Sequence, residues 1–452
     1  MTPPEVTGDP GVSGSATGTW EVAIVGGGIG GLASAHFLAM AGARVTLYEA
    51  SDQLGGLGTF FKYQDTYLER FYHCMLPTDR HLLGLLRDVG LDSDTYWKET
   101  SFGYIHGRDL YPLNTPLQLL QFSVLPFRDR LRVGLTGLWG RLRSSDGLDD
   151  ITCAQWLTRL SGRRAFDAFW RPMLEAKFGD RYDRVPALWF WTRFNREKGG
   201  KRERKGYVRG GYRRIALAVA ESVRAKGGTI RMATEVQRLD LAADGRPLLC
   251  VEGESPRVFD QVLFTAPLFF LHKTTTGGRL AHVVERADSG IDMQGVVNAV
   301  FLLRRGLTPH YWVAAVDEAI PFQGIVESTT LLDKSDTAGA HLVYVMNYVH
   351  RSAPRFQQSD SEVMHEYWTG LKALFPDLRD DDLIDRFVFR SPFVEPIYTT
   401  GYLSRKPPTE LLPGRVYLAT AAQVYPDVTS WNGATRLARE VTDRLLRQRG
   451  AA

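Results

Sequence analysis

Val22-Ala23-Ile24-Val25 is a short β-branched run that stops at Gly26-Gly27-Gly28-Ile29-Gly30-Gly31, and residues 32–41 then carry apolar side chains at helical spacing. Strand, tight glycine turn and helix in that order open a βαβ unit. Arg44-Val45-Thr46-Leu47-Tyr48-Glu49 reads as the next strand and ends on an acid twenty-one positions after Gly28. A glycine pattern alone is a weak signal, but with a strand before it, a helix after it and a distal acid it predicts a dinucleotide site. Gly26 permits the turn, Gly28 and Gly30 let the backbone approach a pyrophosphate, and Gly31 lets the helix pack closely on the strand. The helix start presents free N–H groups to the phosphates. Glu49 is placed to accept hydrogen bonds from the adenosine ribose, and an acid there disfavours a 2′-phosphate, leaving NAD or FAD.

A second glycine cluster, Leu54-Gly55-Gly56-Leu57-Gly58-Thr59, follows directly. At this point the chain resembles the flavin-containing amine oxidase superfamily, and within it the bacterial protoporphyrinogen-oxidase-like proteins. The superfamily includes monoamine oxidases, phytoene-type desaturases and, with a related fold, UDP-galactopyranose mutases. The resemblance implies that FAD is the cofactor and that Gly55 and Gly56 run under its pyrophosphate. An Arg often follows that pair in the family, where this chain has Leu57. It further implies an adenine-side strand at Ala233-Thr234-Glu235-Val236, a returning strand at residues 261–267, a Gly210-Gly211 turn opening a helix, and a last strand at residues 415–419. Val236 is thereby assigned to cofactor binding. Most flavin-binding relatives follow the last strand with Gly and an acid; this chain has Thr420-Ala421-Ala422-Gln423, with either Asp427 or backbone groups near Tyr425-Pro426 expected to substitute. Residues 428–434, with Asn432 and Ala434, are expected to bring N–H groups to the flavin O2 edge.

The fold class so implied is α/β: a Rossmann-type FAD-binding domain of the GR2 type with an inserted α+β substrate domain. The expected FAD-domain pieces are residues 20–80, 207–270 and 395–450, and the substrate or cap domain is residues 81–206 and 271–394. The first insertion reads as an α-helical cap and the second as a mixed sheet. Residues 1–19, rich in Pro, Gly, Ser and Thr without a basic start and apolar run, read as a disordered tail and not a signal peptide.

Three cysteines, Cys74, Cys153 and Cys250, without paired spacing argue against a disulfide framework or a zinc site, and no metal site is expected. The net charge of +4 is too small to imply nucleic acid. No apolar run approaches the roughly 18 residues of a membrane span. A cytoplasmic protein is the default expectation, with peripheral membrane contact as an addition. Residues 117–142, apolar with Arg128, Arg130, Arg132, Arg141 and Arg143, fit either a bilayer surface or packed cap helices.

In the loop Leu68-Glu69-Arg70-Phe71-Tyr72-His73, His73 is a candidate proton carrier, since imidazole titrates nearest neutrality, and Tyr72 a candidate substrate contact. The bland reading is a histidine bonded within its own loop. Adjacency alone raises covalent flavin attachment at His73 or Cys74. In Lys177-Phe178-Gly179, which has a counterpart in the proteins this chain resembles, Lys177 is expected either near flavin N5 through a water or paired with Glu175 or Asp180. Residues 189–209 interleave aromatics with Arg193, Arg196, Lys198, Lys201, Arg202, Arg204, Lys205 and Arg209. They read as a loop for a phosphorylated or lipid-linked substrate, with Arg209 as a contact, or as a solvated stretch. Tyr398, with Tyr402 and Tyr425, is expected to line the pocket. No nucleophile elbow is present.

Three functional readings follow. The first is an FAD-dependent oxidoreductase of amine oxidase or desaturase type, moving hydride from a C–N or C–C site of a small molecule to flavin N5. The second is a flavin-dependent sugar-nucleotide isomerase or mutase. The third is a non-catalytic, degenerate flavin fold that serves as a partner protein.

Overall fold

The structure is a computed structural model and describes residues 20–142, 144–196, 203–287, 290–317 and 319–450. The tail expected at 1–19, together with Arg143, Lys198, Lys201 and Arg202, lies outside the described residues.

The strand Glu21–Val25 lies inside a six-stranded sheet, between Arg44–Tyr48 and Gln261–Phe264. Both neighbours run parallel to it, with Val22 opposite Val45 and Gln261. Thr229–Arg231 and Val416–Leu418 extend the sheet in parallel, and Glu410–Leu412 closes it as an antiparallel edge. Val22 and Ile24 pack into one apolar cluster and Ala23 and Val25 into another, so both faces are covered. That is why the strand reads as a continuous apolar run without alternation. Helices Ile29–Met40, Gly211–Ala225 and Trp431–Gly450 supply side chains to the first cluster. The second is roofed by the small sheet Val236–Leu241, Pro247–Val251, Arg257–Val258 and by helix Leu268–Thr275.

A second sheet has seven strands, running from Leu383–Ile397 through Asp292–Leu303, His341–His350, Gly324–Glu327, Trp312–Ala315 and Phe102–His106 to Asp109–Pro112. In Asp292–Leu303, Val297, Ala299, Phe301 and Leu303 face a cluster formed with helix Asp360–Leu374. Val296, Val300 and Leu302 face the cluster shared with the parallel sheet. The period-2 alternation is therefore hidden from the sequence, because both sides are apolar.

Two sequence expectations are corrected. The first insertion is not wholly helical: Phe102–His106 and Asp109–Pro112 form a hairpin on the seven-stranded sheet, and Thr95–Glu99 pairs antiparallel with Arg204–Val208. The helical remainder, including Phe127–Leu142, Cys153–Ser161 and Ala187–Arg196, has its own aromatic core around Trp156, Phe169, Trp170 and Trp189. The strand expected at residues 233–236 instead bends at Ala233, whose φ is +48°, separating Thr229–Arg231 from Val236–Leu241.

Candidate cofactor and substrate site

The two glycine clusters meet. Gly28 bridges Gly55, and the Gly55 N–H donates to the Gly27 carbonyl at 2.9 Å. Gly26 turns the chain at φ +109°, and a Cβ on Gly31 would lie 1.9 Å from the Gly26 carbonyl oxygen, so helix and strand touch only because both are glycine. Gly28 and Gly30 differ: a Cβ on either meets no protein atom nearer than 3.8 Å. Nothing in the protein itself demands glycine there, whereas a diphosphate drawn against the backbone does. No side chain caps the start of helix Ile29–Met40. The residues therefore fit a dinucleotide diphosphate.

Glu49 is held in place before any sugar arrives. Its Oε2 accepts from Gly27 N–H at 2.6 Å, and its Oε1 accepts from the Ser51 amide at 2.9 Å and hydroxyl at 2.8 Å. A carboxylate takes about four such bonds, so one acceptor position is left for a ribose hydroxyl. Ser51 went unnoticed in the sequence, although a hydroxyl two residues after an acid is a recognisable local anchor. The Glu49 carbonyl accepts from Thr234 N–H at 2.8 Å, which brings the segment leading into Val236 beside it. Val236 is buried and pairs with Val251.

Ala434 reaches the same turn from the last helix: its Cβ lies 3.9 Å from the position a Gly30 Cβ would take. Asn432 and Asp427 are otherwise engaged. The Asn432 side-chain oxygen accepts from the backbone N–H of His81 and Leu82, at 3.0 and 3.2 Å, and so anchors the start of helix Arg80–Asp88. Asp427 lies 3.2 Å from the Arg436 guanidinium.

A cleft of about 200 Å³ opens at the carboxyl ends of strands Gln261–Phe264 and Val416–Leu418. This is where ligands bind in open α/β sheets. Leu268, Phe269, Ile291, Met293 and Phe393 make it largely apolar, and Asp292 and Arg351 supply charge. Burial opposes ionisation of Asp292, but Arg181 and the Met293 amide outweigh it and hold the carboxyl below its usual range. Thr420, Ala421 and Ala422 form one wall. The Tyr398 hydroxyl donates to the Ala421 carbonyl at 3.1 Å and that of Tyr402 to the Ala422 carbonyl at 2.9 Å. Tyr398 is thus corrected from a lining residue to a buried support: it packs against Tyr402 and Tyr425 and holds the wall from behind.

Lys177 pairs with neither Glu175 nor Asp180. Its ammonium forms an ion pair with the buried Glu395 and lies 4.1 Å from the centre of the Tyr348 ring. The Tyr348 phenol is the electrostatic neighbour of the Tyr72 phenol. Burial pushes the Tyr348 phenol up to about 12 and that of Tyr72 well above the ordinary range, so both stay protonated at neutral pH. Glu395 and Tyr348 lay beyond sequence reasoning, since each sits in a strand far from residue 177 and nothing local marks it.

His73 lies among Glu69, Tyr212 and Trp431. Its Nδ1 is 2.9 Å from the Phe71 carbonyl, an acceptor only, so Nδ1 carries the proton and Nε2 the lone pair. The loop bond expected of a structural histidine is therefore present, and it also fixes the tautomer a base would use. Glu69 anchors the loop: Oε1 accepts from the Tyr207 hydroxyl at 2.6 Å and the Tyr212 amide at 2.8 Å. Gly211, at φ +74°, makes room for that carboxylate. Burial raises the Cys74 thiol, against nucleophilic use. Arg209, expected as a substrate contact, is placed at the surface: it is exposed, 3.8 Å from Asp333 and over the Tyr96 ring. Among the described residues no cluster of potential metal ligands occurs.

The family model for flavin containing amine oxidoreductases matches residues 29–446. The chain is similar to the 15-cis-phytoene desaturase of Arabidopsis thaliana, at 24% identity over 285 residues, 56% of this chain and 48% of that protein. It spans about half the length of the curated relatives it matches first. In structure it is similar to a provisionally assigned protoporphyrinogen oxidase from Exiguobacterium sp. 255-15, with a TM-score of 0.75 and 17% identity over 95% of this chain and 99% of that one. It is likewise similar to reduced UDP-galactopyranose mutase, with a TM-score of 0.74 and 16% identity over 95% and 96%. At such identities the solved structures speak for the fold. With the family model covering helix Ile29–Met40, the second glycine cluster, the seven-stranded sheet and most of the last helix, the chain belongs to the flavin-containing amine oxidoreductase family, and its cofactor is a flavin.

Proposed function

We propose that this protein is an FAD-dependent oxidoreductase that removes hydride from a C–N or C–C position of a small, largely apolar molecule. The observation that carries the reading is the cleft between the two sheets, apolar on most sides and adjoining, through Thr420 and its neighbour Ala419, the glycine turn at Gly30. Family membership supports the redox chemistry. FAD, when bound, supplies hydride acceptance at N5 and passes the electrons on to oxygen or another acceptor.

The chain's own part is to bind, orient and manage protons. The N–H groups at the start of helix Ile29–Met40, with Gly55 and Gly56 beneath, hold the diphosphate, Glu49 holds the ribose, and the segment at Val236 covers the adenine. Ala434, in the first turn of the last helix, brings a positive helix end towards the flavin. Lys177, clamped between Glu395 and Tyr348, presents a fixed ammonium, and Tyr72 and Tyr348 hold their protons as donors. His73 offers an Nε2 lone pair of defined orientation, the arrangement of a general base.

Mixing the anaerobic holoprotein with candidate amines and polyenes tests this. Bleaching of the visible flavin band by a substrate, with colour returning on admission of oxygen or an artificial acceptor, is the expected result. Turnover of a sugar nucleotide without net electron transfer would replace this reading with the isomerase one. Protein that takes up no FAD would leave only the non-catalytic one.

A further inference from the structure

In the cationic stretch at residues 189–209, Lys205 is paired with Glu203 and Arg209 faces Asp333. Arg193 differs from both. Its helix, Ala187–Arg196, packs Leu188 and Trp189 into the aromatic core of the cap. Arg193, one turn after Trp189, lays its guanidinium over that ring, 4.2 Å from the centre. Among the described residues Arg193 forms no ion pair, and its Nε–H is buried without an acceptor. The indole N–H of Trp189, a residue only 2% exposed, is likewise buried and unbonded. Buried donors are rarely left so, and two of them on stacked side chains, one charged, call for an acceptor from outside the chain. Trp189 meets Phe178 edge-on at 4.7 Å, and Lys177, the residue before Phe178, lies over Tyr348, so the pair adjoins the Lys177 cluster. Arg193 is also an electrostatic neighbour of the Tyr348 phenol.

We propose that Arg193 and Trp189 bind a carboxylate of the substrate, so that the molecule oxidised is an amphiphilic monoanion, a largely apolar body with one carboxylate. This rests on the reading of the region as the substrate site of a flavin oxidoreductase. Charge sets the sign and the number. The neighbouring cations have carboxylate partners of their own: Lys177 pairs with Glu395, Arg181 with Asp292 and Arg171 with Asp167. Arg193 has none, and a single carboxylate neutralises it. Its planar fork matches the two oxygens of that group, and the indole N–H adds a bond without adding charge. The contact with the Trp189 ring engages the face of the guanidinium and leaves its N–H edge free. Walls built from Trp189, Phe178 and Phe190 disfavour a doubly charged phosphate, whose second charge would be left unbalanced. The FAD diphosphate has its own place at the glycine turn, where the donors are backbone N–H groups.

Calorimetric titration of the full-length, FAD-loaded protein at neutral pH with octanoate, octan-1-ol and octyl phosphate tests the proposal. Octanoate is expected to bind about tenfold or more tighter than octan-1-ol. Arg193→Met, which keeps the length of the side chain and its contact with Trp189, should abolish that difference by weakening octanoate alone. Arg193→Lys should restore part of it, because the charge returns without the planar fork. Unchanged flavin content and melting temperature show that the variants are folded. Wild-type protein that binds octanoate no better than octan-1-ol, or an Arg193→Met variant that keeps the preference, overturns the proposal. So does tighter binding of octyl phosphate than of octanoate, which assigns the pair to a phosphate. Binding is scored without turnover, so a failure here leaves the flavin-bleaching test and the oxidoreductase reading standing, and a failure to bleach leaves the carboxylate preference standing.

Discussion

At residues 26–31 and 49–58 the candidate site is built from backbone and one carboxylate, all drawn from a single short stretch of chain. Around Lys177 it is built from side chains, and Lys177, Glu395, Tyr348 and Tyr72 come from four separate stretches of chain. The first site tolerates no Cβ in the wrong place but little else constrains it. The second tolerates many backbones but needs every partner. Removing an atom should therefore hurt the second most, and adding one should hurt the first.

The largest effect is expected at Lys177→Met, which strands the buried Glu395 carboxylate. Breaking a buried pair from one side costs about 3–5 kcal/mol, so urea unfolding of the apoprotein should shift accordingly. Lys177→Met/Glu395→Leu should recover part of that loss; a double variant no more stable than the single one breaks the comparison.

Next comes a pair of additions at the glycine turn. Gly31→Ala forces a methyl against the Gly26 carbonyl and should cost the apoprotein about 3 kcal/mol. Gly28→Ala has room, so its melting temperature without cofactor should hold while FAD affinity falls at least tenfold, read by fluorescence titration. Equal loss of apoprotein stability in both would show that Gly28 serves folding and not a ligand.

Alkali probes the tyrosines. The folded-state value of about 12 for Tyr348 lies above the ordinary phenol value near 10, so between these limits the unfolded chain releases a proton that the folded one keeps. Its contribution is intact below pH ~10 and is lost at about 1.4 kcal/mol per pH unit as pH rises towards 12. Tyr348→Phe should shallow that slope in chemical denaturation across the range.

The smallest effect is at Asn432→Ala. Loss of its bonds to the His81 and Leu82 amides should cost about 1 kcal/mol, the usual cost of losing a helix cap, with FAD affinity unchanged. A fall in FAD affinity without a stability change would return Asn432 to the cofactor.

The amine oxidoreductase resemblance was legible in the glycine clusters and Glu49 because those residues act through their own local conformations. The Thr420-Ala421-Ala422 departure was visible too, but not its remedy: the carbonyls there are held by Tyr398 and Tyr402. The hairpin at residues 102–112 escaped notice because its pairing with Trp312–Ala315 is decided two hundred residues away. Arg209 looked like a phosphate ligand among other cations, and its partner Asp333 lies in a distant stretch of the chain.

By itself the sequence determined the strand, the glycine turn, the helix and the acid that follows the second strand. Each of these rests on φ angles, missing Cβ atoms and hydrogen bonds between near neighbours, which are properties of a few adjacent residues. Only the tertiary structure decided that Lys177 meets Glu395, that Asn432 ties down a helix, where the cleft opens and which face of helix Phe127–Leu142 stays bare. Those outcomes depend on how distant segments are brought into register, and that is set by the packing of both sheets together.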